Sequence, residues 1–280
     1  MLNARPLENS RQGFCQVRNV CGVDDVSTLR RRRYDDSVDG GCAFEVASAS
    51  RGADGRTIPD IMLSLGSNSF RPMKLHFHPL SGNSRRVRLV AAHLQIPLEQ
   101  VVVDLVTGEQ RGEAHRALNP NARVPVLEDD GFVLWESRAM MVYLTEKVAD
   151  QTLLPAEARG RAEVNRWLFW CAAHMAPANT ILVQENMVKG IRGQKADPAE
   201  VARGEALFTQ SATVLDAQLA GRSWVCLDRL TLADFSIAAS FALAGPARFP
   251  MASYANLRAW LERVQELDAW KRTAPPQMPQ

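Results

Sequence analysis

The chain has 280 residues, 46% hydrophobic and 23% charged, enough to bury a sizeable core as one large domain or two small ones. Its net charge of +2 comes from interleaved acids and bases, which argues against nucleic acid or an anionic membrane surface and for a small-molecule partner. No apolar run approaches the roughly 20 residues of a membrane span, and the N-terminus lacks the charged-then-apolar order of a secretory signal, so the expected location is the cytoplasm.

Five cysteines, Cys15, Cys21, Cys42, Cys171 and Cys226, form no C-x-x-C pair and read as reduced thiols. Residues 1–72 hold no lysine, an arginine run from Arg30 to Arg33 and no sustained apolar period. They read as a disordered extension, or as a start assigned ahead of a true start at Met73; Asp35, Asp36 and Asp39 dilute the arginine run as a binding patch.

From Met73 the periodicity becomes clear. Lys74 to His78 alternates as a half-buried strand ended by Pro79. From Ser84, Val87, Val90, Ala91 and Leu94 fall at helical spacing up to Ile96-Pro97. Val101 to Leu105 is a β-branched strand, and the polar stretch Thr107 to Ala117 carries a short helix at best. Val124 to Leu127 and Phe132 to Trp135 read as strands joined by Asp130-Gly131, a hairpin turn signal. A helix from Ser137 to about Ala149 then carries Met140, Met141, Leu144 and Val148 on one stripe, with Ser137 near its cap.

Beyond Leu153-Leu154-Pro155 only helical patterns remain, at Arg161 to about Gly190, Pro198 to about Ala220, Leu232 to Ala242 and Tyr254 to Glu266. Thr231-Leu232-Ala233-Asp234 has capping-box spacing, with Leu230 as a hydrophobic staple. The predicted organisation is an α/β domain over 73–150, ordered βαβ-α-ββα, followed by an all-α domain over 158–280.

Several stretches sharpen this order: His78-Pro79-Leu80-Ser81-Gly82-Asn83-Ser84-Arg85-Arg86-Val87, Gly108-Glu109-Gln110-Arg111, Asn119-Pro120-Asn121-Ala122-Arg123-Val124-Pro125-Val126-Leu127 and Glu136-Ser137-Arg138-Ala139. Together they resemble the cytosolic glutathione S-transferases, in particular phi, theta and related bacterial types. The resemblance runs from Met73 to about Ala269. It implies a thioredoxin-like domain that binds glutathione, an all-helical second domain, detoxifying transferase activity on small electrophiles, and a homodimer.

The chemistry demands a group that stabilises a thiolate. A free thiol with a pKa of about 8.5 is only slightly ionised at neutral pH, and one hydrogen bond of roughly 1.5 to 3 kcal/mol lowers that pKa by one to two units. Ser81, between the first strand and the positive end of the first helix, matches the catalytic serine of the family, with Asn83 and Ser84 in the same loop as alternatives. By the same resemblance the Val124-Pro125 bond is cis and presents the Val124 backbone to the cysteinyl residue. Glu136 and Ser137 hold the γ-glutamyl end. Gln110 and Arg111 lie at the glycyl carboxylate, in positions that family members fill with His and Lys. Arg123 also departs from the Gln common at its position.

Trp170, His174 and Ala178 are candidates for the wall of an electrophile pocket in the second domain. The five histidines are not spaced as metal ligands, and no metal is expected. Two other functions fit the same scaffold. One is a glutathione-dependent peroxidase or disulfide reductase, against which the lack of a cysteine in the first loop counts. The other is a non-catalytic binding or assembly module.

Overall fold

A computed structural model describes residues 72–275. The expectations placed on residues 1–71, including Arg30 to Arg33 and the first three cysteines, lie outside the described residues.

The chain opens with β1 (Met73–Phe77), α1 (Gly82–His93) and β2 (Leu98–Val102). A 3-10 turn over Glu109–Arg111 and α2 (Glu113–Leu118) follow, then β3 (Val126–Asp129), β4 (Phe132–Trp135) and α3 (Ser137–Glu146). The sheet order is β2-β1-β3-β4, with β1 parallel to β2 and the other pairs antiparallel. Leu75 and Phe77 point into the core while His76 on the other face pairs with Glu128 at 2.6 Å. The β3–β4 turn is built as its Asp-Gly step predicts, with positive φ at Asp130 (47°) and Gly131 (85°).

The second strand comes earlier than its β-branched run. Pairing begins at Met73 opposite Leu98 and ends at Phe77 opposite Val102, so the length of β1 sets the register. Val103, fully expected inside the strand, instead closes the ladder through its N–H to the Phe77 carbonyl at 2.8 Å. The third strand starts at Val126 because Pro125 has no N–H for the ladder. Helix α3 stops three residues short of the predicted Ala149, where Lys147 and Val148 donate to carbonyls only three residues back.

The helical half begins with α4 (Ala158–Trp170), α5 (Ala176–Val183) and α6 (Lys189–Ile191), joined by wide π turns at Cys171–Met175 and Gln184–Val188. The sequence pattern reads this stretch as one uniform helix. Pro177, which cannot donate, sits just after the first wide turn, where Ala176 N–H reaches back to the Cys171 carbonyl. Helices α7 (Pro198–Leu219), α8 (Leu232–Ala238), α9 (Ala255–Gln265) and α10 (Asp268–Arg272) complete the order, with a 3-10 turn over Ala239–Phe241 after α8. The capping box forms as predicted: Thr231 Oγ1 accepts from Ala233 N–H and Asp234 accepts from Thr231 N–H.

Helix α10 carries no strong periodic signal and goes unpredicted. It is held by α1: the Arg85 guanidinium lies 3.6 Å over the Trp270 ring and donates to the Trp270 carbonyl at 3.2 Å. The buried apolar residues of both halves form one continuous cluster, from Leu75, Val87 and Met140 to Phe208, Phe235 and Trp260. Burying an aliphatic or aromatic side chain there contributes about 1.5 to 3 kcal/mol. Cys171 and Cys226 are free and buried. Among the described residues no helix is long and apolar enough to cross a membrane.

Candidate active site

The start of α1 meets the helical half across a cavity of about 690 Å³. Gly82 makes the approach possible: a Cβ there would lie 2.9 Å from the Ala239 carbonyl oxygen. One wall comes from His78, Ser81, Asn83 and Gln110, the other from α5, the wide turn after it and α6.

Ser81 is the N-cap of α1. Its backbone is extended (φ −82°, ψ 115°), and its Oγ accepts from Ser84 N–H at 3.2 Å. Because the backbone N–H can only donate, the bond uses an oxygen lone pair and leaves the hydroxyl proton available to the cavity. Capping and donating toward a ligand are therefore compatible in this side chain. Asn83 also lines the cavity, and its Oδ1 accepts from Arg86. Ser84 is fully buried, accepts from His78 N–H at 3.3 Å and is not part of the cavity wall. His78 Nδ1 accepts from Leu80 N–H at 3.2 Å. Burial lowers the His78 pKa against the opposing pull of Asp104, which keeps the ring neutral at pH 7.

Gln110 reaches the cavity wall, whereas Arg111 is exposed outside it. The Val124-Pro125 peptide bond is cis. The loop before it is pinned at one atom, the Arg123 carbonyl, which accepts from His115 Nε2 at 3.0 Å and Asn119 Nδ2 at 2.8 Å. Asn119 Oδ1 in turn accepts from the backbone N–H of Asn121 at 3.0 Å.

Glu136 adopts φ 76° and ψ 101° just before α3, a conformation costing about 1 to 3 kcal/mol for a residue with a Cβ. Its side chain is exposed and makes no capping bond. Ser137, predicted near the cap, is the first helical residue; it is buried and accepts from Arg86 Nη1 at 3.0 Å. Burial lowers the Arg86 pKa to about 9, with the nearby Arg138 charge acting in the same direction, so the group remains cationic at neutral pH. Arg138 donates to Ser236 Oγ at 3.1 Å and Cys171 Sγ at 3.0 Å.

The structure thus gathers Ser81, Asn83 and Gln110 on one cavity and links Asn83 to Ser137 through Arg86. It does not bring Trp170, His174 or Ala178 there. Trp170 packs edge-on against Trp167 at 5.1 Å and tilts against His174, His174 is exposed, and Ala178 is fully buried in the core. The cavity instead takes Asn179, Val183, Met187 and Ile191 from other positions of the same long helical segment. The wide turns rotate the side chains that follow relative to a regular helix, and periodicity alone does not fix that rotation.

Arg86 was legible but unread. It stands four residues before Val90 and eight before Leu94, within the apolar stripe of α1. A charged residue in such a stripe signals a buried network.

Residues 80–147 match the family model for the glutathione S-transferase N-terminal domain, and residues 198–263 match that for the C-terminal domain. The chain is 34% identical over 208 residues to glutathione S-transferase 3 of Zea mays, an alignment covering 72% of this chain and 93% of the relative. The chain belongs to the glutathione S-transferase family. Glutathione S-transferase F4 of Arabidopsis thaliana is 28% identical, with 71% of this chain and 83% of the relative covered.

Solved glutathione S-transferase structures have the same fold. Glutathione S-transferase III in apo form superposes with a TM-score of 0.67 at 33% identity, covering 75% of this chain and 99% of the other. Glutathione transferase F7 from Populus trichocarpa gives 0.67 at 26% identity, covering 72% and 97%. The thioredoxin-like and helical halves predicted from the sequence are therefore those of a glutathione S-transferase.

Proposed function

We propose that this glutathione S-transferase activates the glutathione thiol with the Ser81 hydroxyl and directs it at a small, largely apolar electrophile held against α5 and α6. One observation carries the reading: Ser81 caps α1 through an oxygen lone pair while its hydroxyl proton stays available at the wall of a cavity of about 690 Å³. A donor at the positive end of a helix stabilises a thiolate twice over, by its hydrogen bond and by the helix field. The thiol proton is released to solvent and a sulfur lone pair forms the new C–S bond. In a substitution the bond to the leaving group breaks and its pair departs with that group; in an addition the π pair moves to the electron-withdrawing end and takes up a proton.

The tripeptide lies with its γ-glutamyl end at Glu136 and Ser137. The exposed Glu136 carboxylate faces the ammonium, and the strained backbone at Glu136 supports a binding role for that turn. The cysteinyl backbone pairs with Val124 beside the cis Pro125, whose loop is pinned at the Arg123 carbonyl. Gln110, and Arg111 from farther out, serve the glycyl carboxylate. Val183, Met187 and Ile191 give the electrophile an apolar wall.

The enzyme works in the cytoplasm, where glutathione is abundant and its thiols stay reduced. It acts as a two-fold homodimer through the face of the β3–β4 hairpin, where Phe132 and Trp135 are 48% and 40% exposed.

Thiolate absorbance of bound glutathione, followed against pH, tests the role of Ser81. The bound thiol pKa lies well below that of free glutathione in the wild type and rises by about one to two units in Ser81→Ala. Binding with an unchanged pKa in Ser81→Ala assigns the donor to Asn83. Failure to bind at millimolar glutathione refutes the site as drawn.

A further inference from the structure

Arg86 is a buried cation whose hydrogen bonds reach both halves of the site, and the roles above leave it without a task. Resting on the reading in which Ser137 meets the γ-glutamyl carboxylate, we infer that Arg86 is a positioning residue that makes Ser137 and Asn83 donors toward glutathione.

The argument starts from polarity. A guanidinium has five N–H donors and no acceptor, so every atom bonded to it presents an oxygen lone pair inward. Nη1 of Arg86 donates to Ser137 Oγ at 3.0 Å and to Asn83 Oδ1. The Ser137 hydroxyl proton is thereby turned away from the arginine. The amide of Asn83 is held with its oxygen inward, which leaves its two N–H groups facing outward from an exposed position on the cavity wall.

Both negative groups of the bound tripeptide near these side chains, the γ-glutamyl carboxylate and the thiolate, accept hydrogen bonds and cannot donate them. Without Arg86 the serine hydroxyl is free to rotate and the asparagine amide to flip, and some of those orientations set a lone pair against an anion.

The other end of the guanidinium fixes the frame. Nη2 donates to the Ser236 carbonyl at 3.3 Å and Ser240 Oγ at 3.2 Å, both after the start of α8. One side chain therefore joins Asn83 and Ser137 of the thioredoxin-like half to α8 and the 3-10 turn after it in the helical half. Arg86 borders the cavity but is only 1% exposed, and its Nη1 is already given to Ser137 and Asn83, so it acts through those two side chains.

The test compares two ligands by calorimetry: glutathione, and γ-aminobutyryl-cysteinyl-glycine, which lacks the γ-glutamyl carboxylate. The full-length wild type binds glutathione at least about tenfold more tightly than the analogue, the scale of one charge-assisted hydrogen bond. In Arg86→Met that ratio falls to within about threefold of unity. A merely structural role lowers both affinities by the same factor and leaves the ratio unchanged, and that result overturns the inference.

If Arg86→Met does not fold, Arg86→Gln replaces it. Gln removes the buried charge, and its amide can turn either face to Ser137, so the ratio falls in the same way. A folded Gln variant with the wild-type ratio overturns the inference, as does a wild type that binds both ligands alike. A wild type that binds neither refutes the transferase site itself, a failure seen before any variant is made.

Discussion

Trp260 Nε1 donates to Asp234 Oδ1 at 3.0 Å, fastening α9 to the first turn of α8. The same carboxylate accepts from Val225 N–H at 2.9 Å and from the backbone N–H and hydroxyl of Thr231 at 2.9 and 3.1 Å. Four donors converge on one fully buried side chain. Asp234→Ala leaves three N–H groups unpaired in the core and destabilises the fold by about 3 to 5 kcal/mol, measured as a fall in unfolding free energy in urea.

The pH dependence of this site has an unusual sign. Burial raises the Asp234 pKa from 3.8 to about 6 against the pull of its four hydrogen bonds. The folded protein therefore takes up a proton that the unfolded chain does not, between about pH 6 and pH 4. The contribution of this group is fully present below the unfolded pKa and is lost as pH rises through 6, a span of about 3 kcal/mol. The destabilisation caused by Asp234→Asn, which cannot titrate, thus grows as pH falls from 7 to 4. Urea unfolding of both proteins across that range measures it, and a pH-independent difference contradicts it. Asp129 works in the opposite sense, since hydrogen bonds from Lys147 and Tyr143 lower its pKa.

Asn119 controls the loop that presents Val124 without lying on the cavity wall. Asn119→Ala removes the donor to the Arg123 carbonyl and the acceptor for Asn121 N–H. The expected result is a rise of about 5- to 50-fold in KM for glutathione, with the bound thiol pKa unchanged because Ser81 and α1 are untouched. Steady-state kinetics and the thiolate titration read the two quantities separately.

The electrophile wall makes a paired prediction. Met187→Ala removes an apolar side chain from the cavity and raises KM for a bulky apolar electrophile by about 3- to 30-fold, with glutathione affinity held. His174→Ala, on an exposed face outside the cavity, changes neither. Kinetics with a chloronitrobenzene as the variable substrate distinguish the two faces of the helix.

Much of this fold follows from local rules. The Asp130-Gly131 turn, the stripe of Met140, Met141 and Leu144 and the Thr231 capping box each depend on neighbours within a few residues. The edge of β2 does not, because its register is set by pairing with β1. Helix α10 forms against Arg85 and Arg88, whose contacts with it span 185 residues of sequence. The proposed roles of Ser81, Glu136 and Ser137 rest on chemistry visible in the sequence, whereas the residues of the apolar cavity wall depend on two π turns that rotate a helix.

The grip of α1 on α10 bears on the order of biosynthesis. Arg85 stacks on Trp270, and Arg88 Nη1 donates to the Thr273 carbonyl at 3.4 Å. The helix that carries Ser81 at its tip is thus seated against the last turn of the described chain. During synthesis α1 leaves the ribosome long before α10 has been made, and Arg85 and Arg88 lack that partner in the interval. The thioredoxin-like half therefore completes its packing only once α10 has been made, and the helix that carries Ser81 is among the last elements to be locked.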